Sequence, residues 1–234
     1  MLANKAIKRK KSEMFERKPL RHHVQKEILA RIADHRLPAG TRINESHLSA
    51  DLGLSRTPLR EAMLGLEAVG FLKSDMGRGF IVPPISNDEF RQSQAMLAKI
   101  EPYALTMAHP LPTAQIMELN NLLGRGRIRV AQPGSEQGGA LADLIYRWCP
   151  LLINGCSNKI LVTDILRLEA LSRRYWQEAV ILGFEPAAMI TSYNQMYELL
   201  RTNHPDEAAV HWENHILQFS EEAARHLPSA SLEA

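Results

Sequence analysis

The chain is expected to be mainly α-helical: an N-terminal winged helix-turn-helix followed by an all-α antiparallel helical bundle. Three observations lead there. Residues 44–82 read as two short helices, a tight turn and a two-stranded wing. From Asn87 onward the apolar residues recur at helical spacing, and no segment alternates as a strand over any length. The charge is split between the two halves. Residues 1–86 hold 16 Lys+Arg against 9 Asp+Glu, a net +7, and the remainder holds 12 against 17, a net −5. A basic front half suits a polyanion, and the acidic back half does not.

Each element has a local reason. Asn44 is placed to cap the first short helix, with Leu48 and Leu52 as its apolar stripe. Gly53 supplies the left-handed residue of the turn. Ser55 is placed to cap the second helix, and Pro58 is tolerated in its first turn. Leu59, Met63 and Leu66 form the inward face of that helix. Its amino end carries Ser55, Arg56, Thr57 and Arg60, the donors a recognition helix needs to reach phosphates and base edges in a major groove. Residues 71–74 and 79–82 read as strands joined by a glycine-containing turn over 75–78. Helix, turn, helix, wing is the order of a winged helix-turn-helix. Upstream, Val24, Ile28, Leu29 and Ile32 stripe a first helix over 20–36, and residues 1–18 form a disordered tail with seven cations. Pro83 and Pro84 open a stiff linker through residue 87.

In the back half the expected helices are 87–108, with Pro102 kinking it, 113–127, 140–153, 158–182, 186–201 and 205–227, with a loop over 131–139. Two cysteines, Cys149 and Cys156, are too few for a disulfide framework and point to a reducing cytoplasm. No apolar run reaches membrane-spanning length, and the polar, lysine-rich N-terminus lacks the apolar core of a signal peptide. No G-x-S-x-G string is present. Gly124-Arg125-Gly126 lacks the preceding strand and following Lys-Ser/Thr of a phosphate loop, so an enzyme is not expected.

Residues 20–83 resemble the DNA-binding domain of the GntR family of bacterial transcription regulators. The resemblance rests on Pro38-Ala39-Gly40-Thr41, Glu45, Leu48, Leu52-Gly53, the string Ser55-Arg56-Thr57-Pro58-Leu59-Arg60-Glu61-Ala62, Leu66, Gly70, Leu72 and Gly77. The helical back half resembles the FCD-type, FadR-like branch, through Asn158, Leu161, Ala208 and His215. The resemblance implies a homodimer bound to a palindromic double-stranded operator, most simply as a repressor, with domains at 19–83 and 88–228. It implies DNA contact by Ser55, Arg56, Thr57 and Arg60, by wing residues Met76, Gly77 and Arg78, and by Ser46, which stands where some relatives have arginine.

The same branch binds small carboxylates, and many members hold a divalent metal on an Asp, a His four residues later and two further histidines. Counting from Asn158 and Ala208, those positions fall on Ile145, Cys149, Tyr193 and His215, so only one ligand is kept and no metal is expected. A rearranged set would draw on Cys149, His215 and either Asp143 or His211. Without a metal, a carboxylate effector needs a cationic anchor: Arg147, Arg167, Arg173 or Arg174, with Tyr193 or His215 as second donor. Trp148, Tyr175, Trp176 and Trp212 read as core. The alternatives are a bundle that only dimerises, and a small-molecule-binding or catalytic bundle.

Overall fold

In the N-terminal unit, α1 (residues 20–32) buries Val24 and Ile28. The Gln25 amide reaches across to the Ala62 carbonyl at 3.3 Å, and Arg31 bonds Asp51 at 3.1 Å, so α1 is tied to both helices that follow. α2 (Glu45–Asp51) starts at Asn44, whose side chain accepts from the His47 amide at 3.0 Å. Leu48 is buried, but Leu52 falls on the C-cap and is only half-buried, so the expected two-leucine stripe is reduced to one full anchor. Gly53 takes φ +64° and lets the chain reverse. α3 (Arg56–Glu67) buries Leu59, Ala62, Met63 and Leu66. The wing is shorter than expected: β1 (Lys73–Ser74) pairs antiparallel with β2 (Phe80–Ile81), with Arg42 bridging Ile81 on the far side. Phe71 and Val82 leave the β1–β2 ladder because their amides go elsewhere, to the Leu66 and Thr41 carbonyls at 3.0 and 2.9 Å, while both side chains stay buried.

This computed structural model describes residues 20–32, 36–75, 78–131 and 136–228. The expected tail over 1–18 lies outside them. The chain divides into two compact units between Pro84 and Ile85.

The second unit is built from α4 (Asn87–Ala108), α5 (Thr113–Val130), α6 (Glu136–Ile153), α7 (Lys159–Ile181), α8 (Ala187–Arg201) and α9 (Pro205–Ala224). Ser86 and Asn158 cap α4 and α7 by accepting from the Glu89 and Leu161 amides at 3.2 and 3.1 Å. α5 runs three residues further than expected. α6 begins at Glu136, inside the expected loop, and runs through Pro150 to Ile153. α4 is the central element, packing on α6, α7 and α9, while α5 closes on α6 and α8. Among the described residues, no helix is long and apolar enough to cross a membrane.

The caps give a direct test. Asn44→Ala leaves the His47 amide without its acceptor, so it is expected to destabilise the N-terminal unit by about 1 kcal/mol. Chemical denaturation followed through that unit checks it, and an unchanged midpoint would contradict the cap's role.

Candidate nucleic-acid interface and bundle interior

Ser55 occupies the N-cap of α3, but its hydroxyl makes no capping bond. The sequence expectation of a side-chain cap is therefore corrected: the hydroxyl is exposed, as are Arg56, Thr57 and Arg60. Pro58 has no amide hydrogen to satisfy, so the helix start tolerates an uncapped serine. Helix amino ends carry partial positive charge and unpaired N–H groups, which suit a phosphate oxygen. Arg56 reaches back to Ser46, Nη2 to Oγ at 2.8 Å. Ser46 is therefore a positioning partner for Arg56 in the protein alone. Arg60 lies 4.0 Å from the Glu45 carboxylate. Glu45 in turn packs under the wing, where Gly79 (φ +90°) leaves room for it; a Cβ there would stand 3.1 Å from the carboxylate.

Arg42 was not singled out from the sequence, yet it holds the wing turn. Its guanidinium pairs with Asp75 and donates to the Arg78 carbonyl at 3.3 Å. No spacing motif marks it, because its partners are 33 and 36 residues away. Arg78 is exposed. Met76 and Gly77 lie outside the described residues.

The bundle residues expected to bind an effector are not brought together. Arg147 is on the outer face of α6, 3.7 Å from Glu118 and 3.9 Å from Asp143, in a shallow groove of about 250 Å³ shared with Arg125 and Arg129. Arg167 is exposed. Arg173 lies over the Tyr146 ring at 5.3 Å. Arg174 is buried, but its guanidinium is engaged by the Tyr175 hydroxyl at 2.8 Å and Glu89 at 3.5 Å. Only Tyr193 and His215 meet, edge to face at 4.7 Å. Tyr193 also packs on Trp148 and Trp212, at 4.8 and 5.4 Å. Helical period places each arginine on α6 or α7, but α6 and α7 turn those faces outward or toward α4.

The ligand positions implied by the resemblance do not fit a metal. Ile145 offers no donor, and Tyr193 is sandwiched among rings with burial pushing its phenol well above the usual range. The rearranged set is also dispersed. Asp143 pairs with Arg129 and Arg147 at the surface, and His211 and His215 share the Ser192 hydroxyl at 3.0 and 2.8 Å. Cys149 is buried and faces Glu101 and Glu169.

His215 forms part of the wall of an open cleft of about 430 Å³ between α8 and α9. Burial, with His211 beside it, pushes its pKa down to about 3. The unfolded chain protonates this imidazole near 6.5 and the folded one does not. Its contribution to stability is complete above about pH 6.5 and is lost as pH falls from there toward 3. His215→Phe keeps a ring against Trp212 and Tyr193 and removes that proton. The slope of Tm against pH between about 6.5 and 4 is expected to flatten in the variant; an unchanged slope would acquit His215.

The family model of gntR-family bacterial regulatory proteins matches residues 20–82. Residues 20–82 are thus a gntR-type domain like that of these bacterial regulatory proteins. Over 97 residues it is 31% identical to a Paenarthrobacter nicotinovorans protein whose name describes a D-xylose utilization operon transcriptional repressor, covering 42% of this chain and 43% of that one. Over 76 residues it is 37% identical to the Nta operon transcriptional regulator of Aminobacter aminovorans, covering 32% and 36%. The chain thus spans less than half the length of the curated relatives it matches. The structure of E. coli McbR/YncC superposes with a TM-score of 0.68 at 21% identity, over 85% of this chain and 93% of that one, which establishes the fold across both units. In this gntR-type domain the matched segment contains the α2–α3 pair and the wing.

Proposed function

We propose that this chain is a gntR-family transcription regulator that binds a palindromic operator as a homodimer and represses from it. The observation that carries the reading is the amino end of α3, where Ser55, Arg56, Thr57 and Arg60 stand exposed together. Arg56 and Arg60 take base edges or phosphates, Ser55 and Thr57 hold phosphates, and Ser46 orients Arg56 with at most a weak phosphate contact of its own. Arg78, with Met76 and Gly77, approaches the backbone or minor groove. In this reading residues 19–83 bind DNA, 84–87 link, and 88–228 dimerise. The basic tail over 1–18 adds non-specific phosphate contacts. The protein binds rather than catalyses, in the cytoplasm where an operator is found. The names of the relatives support regulation, and repression in one case.

Selection from random double-stranded DNA tests the reading. The expected result is a two-fold symmetric consensus whose affinity falls steeply with salt, because each phosphate contact releases a counterion. An asymmetric consensus, or none, would overturn it.

A second reading concerns the bundle. The position of the arginines favours a bundle that dimerises without an organic-acid effector. Three of the four lie toward the surface, and the fourth is engaged by Glu89 and Tyr175. A rise in Tm with one member of a carboxylic-acid panel would restore the acid effector, coupled reciprocally to operator binding. A panel without any rise keeps the second reading.

A further inference from the structure

Three helices of the bundle bring Glu101 (α4), Cys149 (α6) and Glu169 (α7) to one point. One donor atom from each lies within 4.8 Å of the other two. The residues are 1%, 1% and 6% exposed, so this is not a solvated acidic patch. Glu101 Oε2 accepts from the Trp212 indole at 2.8 Å, while Glu101 Oε1 and Glu169 Oε2 are sealed from solvent with no hydrogen-bond partner. The groups acting on the two carboxyls are each other, the Trp212 indole and the Cys149 thiol, and none of these is a cation.

Ionised carboxylates buried this way cost several kcal/mol each unless a positive charge joins them. Burial pushes both carboxyls upward, and burial with the two carboxyls pushes the Cys149 thiol up as well. The site is thus either closed by protons or organised around a cation, and the donor types favour the second. We propose that Glu101, Cys149 and Glu169 bind one divalent cation of the zinc class. A thiolate with two carboxylates selects zinc over magnesium or calcium, which take oxygen donors. Bond lengths of about 2.3 Å to sulfur and about 2.0–2.2 Å to oxygen place tetrahedral donors roughly 3.5 Å apart. The Trp212 indole fixes the Glu101 carboxylate on the oxygen turned away from the unpartnered one, as an outer partner orients a ligating carboxylate. Glu101 and Glu169 stand outside the positions where the family resemblance seeks ligands, and only Cys149 is shared with them.

Cobalt titration of the metal-free full-length protein tests this. The expected result is one equivalent of Co²⁺ bound with a thiolate-to-cobalt charge-transfer absorption that Zn²⁺ abolishes. The absorption is expected to vanish in Cys149→Ser and persist in Cys156→Ser. Glu101→Gln and Glu169→Gln are each expected to weaken cobalt binding at least about tenfold. Folded wild-type protein that shows no such absorption in excess cobalt would overturn the proposal and leave a shared proton in the site, whatever the variants do. Absorption that survives in Cys149→Ser would overturn it too.

Discussion

Replacing Arg56 by alanine is expected to lower operator affinity by about 1–3 kcal/mol, roughly tenfold to more than hundredfold, and to relax base preference at one position in each half-site. Arg56 is exposed at the first turn of α3 and is held at 2.8 Å by Ser46, so its guanidinium is oriented before DNA arrives. The loss has two separable parts. Contact with a base edge weakens the specific site more than random DNA. Contact with phosphate weakens both alike and lowers the salt slope by about one. Anisotropy titrations on the selected operator and on scrambled DNA, at several salt concentrations, distinguish them. Ser46→Ala is expected to give a smaller loss in the same direction, because it frees Arg56 without removing it. Equal affinity of Arg56→Ala and wild type for the operator would remove α3 from the interface.

Leu59→Ala is expected to abolish DNA binding by a different route. Leu59 is fully buried, as are Val24, Ile28, Met63 and Phe80 of the same unit. Truncating a buried leucine costs about 2–5 kcal/mol, and a unit of this size has little stability to lose. Most of that unit should unfold while the bundle, with its own core, remains helical. The expected result is two transitions on heating, the first moved far down and the second unmoved, with operator binding lost at temperatures where Arg56→Ala is still folded. A single transition shifted as a whole would show that the two units unfold as one.

These two substitutions sit three residues apart on one helix, one at its exposed first turn and one in the core beneath it. The inward set is legible from sequence, since a helical period puts Leu59, Met63 and Leu66 on one face, whereas Arg56 is exposed because it is the first residue of α3. The long bundle helices were legible for the same reason, and most ends fell close to their signals: Ser86, Asn158 and Pro205 mark starts that the structure keeps. The start of α6 was missed because Gly138 and Gly139 read as a loop, and the wing strands were overdrawn. Residues such as Phe71 and Val82 are apolar for packing, and their amides are claimed by partners outside the β1–β2 ladder.

Local chemistry therefore determined the helix-turn-helix, its basic outer face and the helical character of the rest, because caps, periodicity and glycine turns act within a few residues. Which side chains meet across the bundle was decided only by the packing of helices whose sequence positions lie far apart. Glu101, Cys149 and Glu169 share no spacing motif, being 48 and 20 residues apart, yet α4, α6 and α7 bring them together. The same packing carried Arg147 and Arg167 to the surface and Arg174 to Glu89. A helix's own period fixes the angle between its residues, but the rotation of that helix against its neighbours is set by the sum of all its contacts, and no single segment of sequence contains that sum.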